Sequence, residues 1–277
     1  MAWPLAKANR EGPVQRVRIA TYNIHKGRGL DGRVRIERIA RVLGEVHADI
    51  VALQEVVSRE GRCAEDHQAR FLADQFAYFY AIGETRKYRG GIYGNVILSR
   101  WRFERARHAD LSVSGREERG VLRTDIRLGR QLVHVFNVHL GTSHRERKKQ
   151  ARRLIEPDLL KAMDITGPRV VLGDFNEWTR GLVTRTLTSE FRLTDLRAHL
   201  RRSRAYPSGL PLLHLDHIYY DHHFEVESAR FHRSRLSLVA SDHLPLVADL
   251  VMGGSSWPAA TRDVSGSRGA LVPDADA

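Results

Sequence analysis

Six apolar segments of this 277-residue chain each end in side chains able to move protons or hold a cation. The clearest runs from Val170 to Glu177, where Val170, Val171 and Leu172 lead into Gly173 and then Asp174 and Asn176. An apolar β-branched run of this kind reads as a buried strand. If the strand persists, alternation places Asp174 and Asn176 on one side. A carboxylate beside an amide at a strand end suits holding and polarising a water against a phosphate. The same two residues suit a turn that caps the next helix, because Asp and Asn favour such positions. The motif alone leaves both readings open. The other ends offer Asn23, Glu55, Asn137 with His139, Asp216, and Asp242 with His243. His217, His222 and His223 could be gathered into a metal cluster, but Asp221-His222-His223 reads better as a turn.

Strands must position these groups. Val17–Ile24 reads as a strand followed by the basic, glycine-bearing segment His25-Lys26-Gly27-Arg28-Gly29. Val34–Val46 has Ile36, Ile39, Leu43 and Val46 at helical spacing. Asp49–Val56 reads as a second buried strand, and Ala64–Phe76 as a helix. A strand opens across Phe76–Tyr80, and Thr85–Gly94 reads as a basic, glycine-rich loop. Further strands are expected at Phe103–Leu111, Val121–Leu128 and Gln131–Leu140, the last with Val133, Val135, Asn137 and His139 on one face. A helix follows, in which Ser143 and Glu146 have capping-box spacing. Its first turns carry Arg145, Arg147, Lys148 and Lys149. Cations there oppose the helix dipole, so a bound anion would account for them better than local stability does. Trp178–Ser189 reads as a short helix, and Arg201–Arg204 with Tyr206-Pro207 as a second basic loop that could meet phosphate. Leu213–Tyr220, Phe224–Phe231 and Leu246–Val251 complete the strands. Short strands interrupted by few helices in both halves suggest two packed sheets with helices outside.

Net charge is +12 and the sequence pI about 10.3, a surplus that favours polyanionic partners. A single cysteine, Cys63, excludes an internal disulfide and fits a reducing compartment. No apolar run reaches the ~18–20 residues of a transmembrane helix, and residues 1–15 lack the apolar core of a signal peptide. The expectation is a cytoplasmic protein with a loose leader over 1–15, one domain over 16–252 and a disordered tail over 253–277.

Together the strand ends resemble the endonuclease/exonuclease/phosphatase superfamily, of DNase I-like fold, and most closely its small bacterial members. The matching blocks are Thr21–Ile24 (TYNI), Asp49–Val56 (DIVALQEV), Gly94–Arg100 (GNVILSR), Phe136–Leu140 (FNVHL), Gly173–Asn176 (GDFN), Leu215–Ile218 (LDHI) and Ser241–Pro245 (SDHLP). The resemblance implies a four-layer α/β/β/α sandwich of two packed, mostly antiparallel sheets. It also implies hydrolysis of phosphoesters with magnesium, for which manganese could substitute. It casts Glu55 as the principal metal carboxylate, with Asn23 and Asp242 assisting. Asp174 would activate the attacking water with help from Asn176. His243, oriented by Asp216, and His139 would bond the phosphate or leaving group. Asn95, Arg145 and Lys148 are the expected contacts to substrate phosphate. Two departures stand out. Relatives resembling abasic-site endonucleases have an aspartate where this chain has His25, and inositol polyphosphate phosphatases have an arginine where it has Trp178. The charge favours nucleic acid as substrate, with an anionic phospholipid or its headgroup as the alternative and a monomer as the acting form. A binding module without catalysis is the least favoured reading.

Overall fold

The computed structural model describes residues 15–59, 61, 63 and 66–253. In chain order its elements are β1 (Gln15–Asn23), α1 (Ile36–Val46), β2 (Ile50–Ser58), α2 (Gln68–Phe76), β3 (Phe79–Tyr88) and β4 (Gly91–Ser99). Then come β5 (Phe103–Asp110), β6 (Gly120–Leu128), β7 (Gln131–His139), α3 (His144–Leu154), β8 (Arg169–Asp174) and α4 (Leu182–Ser189). The remainder is β9 (Thr194–Asp195), β10 (Asp216–Tyr220), β11 (Phe224–Phe231), α5 (Ser237–Ala240) and β12 (Leu246–Met252). The expected leader and tail lie outside the described residues, apart from Gln15, which opens β1, and Gly253. Among the described residues no helix is long and apolar enough to cross a membrane.

Each sheet has six strands, in the orders β11-β12-β1-β2-β4-β3 and β5-β6-β7-β8-β10-β9. Both are antiparallel except for one central parallel pair, β1 with β2 and β7 with β8. Parallel neighbours need a crossover; α1 lies in the first and α3 in the second. Three apolar clusters separate the layers. Between the sheets lie Val17, Ile19, Ile50, Ala52, Val133, Val135, Val170, Leu172 and Ile218. Outside the first sheet, α1 and α2 bury Ile36, Ile39, Leu43 and Leu72 against Ala20, Tyr22, Val51 and Leu53. Outside the second, α3 and α4 bury Ala151, Leu154, Val183 and Leu187 against Phe136, Val138 and Val171. The result is the expected four-layer sandwich.

The inner faces change character along the strands. Val17, Ile19, Thr21 and Asn23 share one face of β1, and Val133, Val135, Asn137 and His139 share one face of β7. The polar end of that layer staples the sheets together. Gln54 Nε2 donates to Asn137 Oδ1 at 2.7 Å, and Asn137 Nδ2 donates to the Leu53 and Val96 carbonyls at 2.9 Å each. Asn95 Nδ2 donates to the Gly120 and Asn137 carbonyls at 2.9 and 3.2 Å. Gly173 closes the seam beneath, since a Cβ there would lie 1.9 Å from the Val138 carbonyl oxygen and φ is +147°. Only glycine fits that approach.

Two local expectations need correction. Thr85–Gly94 is not a loop: it forms the hairpin of β3 and β4, turning through Arg89 (φ 47°) and Gly90 (φ 79°). Two left-handed residues suit the two-residue hairpin turn, but Arg-Gly is a weaker signal for it than Asn-Gly. The capping box does not form either, because Ser143 makes no side-chain cap and Glu146 turns inward beside Gln150. Replacing Asn137 by Ala takes one acceptor from Gln54 and a donor from the Leu53 and Val96 carbonyls in the core, where each unmet polar group costs about 1–3 kcal/mol. The expected loss is about 3 kcal/mol in urea unfolding, and a loss under about 1 kcal/mol would show the staple to be dispensable.

Candidate active site

At the polar end of the sandwich both parallel pairs deliver their carboxyl-terminal residues to one space. Asp174, the last residue of β8, is only 2% exposed. Its Oδ2 accepts from Asn23 Nδ2 at 3.0 Å and its Oδ1 from the Asn176 backbone N–H at 2.9 Å. Two imidazoles approach the same Oδ2, His139 Nε2 and His243 Nε2, each at 3.6 Å. His243 turns its other nitrogen to Asp216 Oδ2 at 2.8 Å. Asn176 lies beyond the strand with φ 49°, and its amide donates to the Leu140 carbonyl at 2.9 Å. Neither member of the pair caps α4, which begins at Gly181 without a side-chain cap. Glu177 serves that helix instead, accepting from Thr184 N–H at 3.1 Å.

Glu55 reaches the site by a route that alternation does not provide. On the period of β2 it would share the outer face of Leu53, toward α1 and α2. The ladder with β4 shifts register between Leu53 and Val56, and Glu55 has φ 57°. A bulge of this kind re-aims a side chain. The carboxylate consequently meets Asn23 Nδ2 at 3.2 Å and forms an ion pair with Lys26.

Burial and charge drive the two imidazoles apart. For His139, burial and the Arg119 charge outweigh the attraction of Asp174 and Glu55, lowering its pKa to about 4. For His243, burial is outweighed by Asp216 and Asp174, raising it to about 10. At neutral pH one ring is uncharged and the other a cation, both facing one carboxylate. Burial raises the Asp174 pKa above its ordinary value, with the histidines opposing and Asp216 adding repulsion. Burial also works against ionised Glu55, yet the charges of His139 and Lys26 and hydrogen bonds from Lys26 and Asn23 hold its carboxyl well below the usual range.

The donor set fits a hard divalent cation. Glu55 is an ionised carboxylate already paired with a cationic side chain, and Asp242 stands at the mouth with Oδ1 3.6 Å from His25 Nδ1. Burial first, then the charges of Asp242, Asp174 and Glu55, raise the pKa of the neighbouring Tyr206. Carboxylates completed by waters are the usual magnesium environment. Asn23 as oriented presents its amide nitrogen to Glu55 and Asp174 while its oxygen accepts from His25 N–H at 3.0 Å, so it ties the two acids together.

None of the expected phosphate contacts bonds directly to the Asp174 cluster. Asn95 is buried between the sheets with its amide bound to backbone, and Arg145 and Lys148 lie on the exposed side of α3. Arg147 is the inward cation of that helix, donating to the Gly141 and Thr142 carbonyls at 3.0 and 2.6 Å and lying over the Trp178 ring. Tyr206, whose ring meets that of His243 at a tilt of 50° with centroids 4.7 Å apart, is a further neighbour. Both sat in basic stretches of the sequence, and spacing could not tell which member points inward. The Asp221-His222-His223 group lies at the opposite end of β10 from Asp216 and forms the expected turn, Asp221 Oδ1 accepting from His223 N–H at 3.1 Å. His217 is elsewhere, bonded to the Glu177 carbonyl.

The Asp216–His243 pair makes stability depend on pH. A histidine raised from 6.5 to about 10 on folding adds stability that is complete below pH 6.5 and lost as pH rises toward 10. Asp216→Asn should therefore unfold more easily than the native chain by about 3 kcal/mol at pH 6. The gap should narrow steadily toward pH 10 in denaturant titrations, and a gap independent of pH would contradict the assignment.

The pattern of the Endonuclease/Exonuclease/phosphatase family matches residues 20–243. YbhP of Escherichia coli (strain K12), itself uncharacterized, is 33% identical over 245 residues, covering 84% of this chain and 95% of that protein. An endonuclease/exonuclease/phosphatase from Beutenbergia cavernae superposes with a TM-score of 0.70 at 25% identity, over 86% of this chain and 72% of that one. A mannosyl-6-phosphatase from Bacteroides thetaiotaomicron superposes with a TM-score of 0.69 at 18% identity, over 85% of this chain and 100% of that one, a likeness of fold. The match begins inside β1 and ends on His243, spanning every strand that supplies the Asp174 cluster, and the chain belongs to the endonuclease/exonuclease/phosphatase family.

Proposed function

We propose that this protein is a divalent-metal-dependent phosphodiesterase acting on nucleic acid. The observation that carries the reading is a single buried carboxylate, Asp174, faced by one neutral and one protonated imidazole, with the ionised Glu55 across Asn23. Asp174 is placed to orient a water and take its proton as the water attacks phosphorus. Its raised pKa brings it closer to the working pH, where a base is most effective. His243, protonated and held through Asp216, offers Nε2–H to a phosphate oxygen that gains charge. His139 offers its own Nε2 to the phosphate or the leaving oxygen. The 3.6 Å spacings to Asp174 are loose, as catalytic contacts often are before substrate tightens them. Glu55 and Asp242 would hold magnesium, or manganese in its place, which when bound supplies Lewis-acid stabilisation of developing charge.

Because the site draws on both sheets, residues 16–252 act as one catalytic domain. The net charge of +12 supports a polyanionic substrate, and the lone Cys63 supports a cytoplasmic setting. One observation favours a second reading, a phospholipid diester. Leu30, Leu210, Leu212 and Val239 are exposed, Leu30 N–H bonds the Val239 carbonyl, and Arg202, Arg204 and Arg233 line the neighbouring hollow. Apolar side chains among arginines suit an anionic membrane surface. Sedimentation with anionic vesicles separates the readings, since a nuclease has no need of them.

Purified protein with magnesium should nick supercoiled plasmid, and EDTA should stop it. Asp174→Asn should lower the rate by about 10³-fold without loss of fold, in the range of a positioned proton acceptor. Duplex binding should weaken with salt at a log–log slope of about −0.9 per phosphate contact. A folded wild-type protein that leaves plasmid intact would overturn the nucleic-acid reading.

A further inference from the structure

Beside the candidate active site a carboxylate of the chain itself is gripped by two arginines. Arg119 immediately precedes β6 and is 5% exposed. Its Nε donates to the Leu140 carbonyl at 3.2 Å, the same oxygen that accepts from Asn176 Nδ2. The guanidinium thus stands one carbonyl away from the Asp174–Asn176 pair and next to His139. Its Nη2 pairs with Glu117 at 2.9 Å, while Nη1 is buried with no hydrogen-bond partner among the described residues. The other Glu117 oxygen pairs with Arg86 Nη2 at 3.1 Å. Arg86 lies over the Tyr93 ring at 4.5 Å, and its Nε is also buried without a hydrogen-bond partner among the described residues. Lys26, the partner of Glu55, lies 5.4 Å from the centre of the same ring. Glu55, Lys26, Tyr93, Arg86, Glu117 and Arg119 therefore form an arc that ends beside His139.

Nothing structural requires this arrangement. Glu117 sits on the exposed connection between β5 and β6 with its side chain 43% accessible, so it is a poor partner for a buried guanidinium whose desolvation is costly. Two guanidiniums converging on two oxygens is the geometry that recognises phosphate. A backbone phosphodiester carries one negative charge and two free oxygens, as a carboxylate does. We infer that Arg86 and Arg119 bind the phosphate next to the scissile one in a polynucleotide strand, and that Glu117 occupies that subsite in the free protein. Substrate entry exchanges Glu117 for phosphate, and the unpartnered Arg119 Nη1 gains an acceptor. This inference rests on the phosphodiesterase reading and narrows its substrate to a strand with at least two consecutive phosphates.

The test is fluorescence anisotropy with labelled trithymidylate, which has two internal phosphates, and dithymidylate, which has one, in EDTA so that binding is read without turnover. The native protein should prefer the trimer, and Glu117→Gln should tighten trimer binding about threefold by removing the internal competitor. Arg119→Gln should weaken trimer binding about tenfold and abolish the preference, as expected for loss of a charge-assisted hydrogen bond. A thermal melt establishes that Arg119→Gln is folded, and Glu117→Gln alters only an exposed side chain. An unchanged trimer preference in both variants, or no trimer binding by native protein and Glu117→Gln alike, overturns the subsite. Adding magnesium to the native complex tests the underlying reading separately, through cleavage of either oligonucleotide.

Discussion

A carboxylate cannot be buried to 2% exposure without partners, and the Asp174 partners come from almost every part of the chain. Asn23 arrives from the end of β1, His139 from the end of β7, Asn176 from the turn after β8, and His243 from the segment before β12. Meeting the needs of this one group therefore obliges the two sheets to close at one end with a fixed register. The protonated His243 is held in turn by Asp216 from β10. The contacts that make burial tolerable also bear on the proton affinity of His243, so folding and candidate chemistry share them.

Below that cluster the inner layer passes from apolar to polar in two residues along each strand. Val135 belongs to the dry core, Asn137 to the staple, and His139 to the site. The staple gives the site a rigid floor, because Asn137 binds carbonyls on both β2 and β4 from its place on β7. Gly173 lets β8 lie close against β7 at Val138, which brings Asp174 level with His139 in the parallel ladder. A site positioned by strand ends rather than loops is held more precisely.

Much of this was legible in the sequence, for physical reasons that can be named. The alternation in Gln131–His139 survives because a strand buried on both faces cannot slip by one residue without exchanging its layers. The run into Gly173-Asp174 identifies a strand end because an apolar segment must stop where its side chains meet charge. Glu55 was legible as a residue but not as a geometry, since its direction depends on a bulge that period-two reasoning does not contain. The hairpin of β3 and β4 was hidden by polar residues that tertiary pairing carries into a sheet. On α3, spacing showed a basic cluster, but only packing reveals that Arg147 turns inward while Arg145 and Lys148 face solvent. Arg119 gave no local signal and Tyr206 only its place in a basic loop, because their roles arise from contacts with distant segments.

The central claim is that one buried carboxylate is faced by two imidazoles, one neutral and one protonated. Nitrogen-15 NMR of the histidine rings reads this directly, with His139→Gln and His243→Gln used to assign the signals. At pH 7.5 the account predicts that both nitrogens of His243 carry protons and that His139 is neutral, protonating only near pH 4. Two rings titrating together near the ordinary value of 6.5 would contradict it.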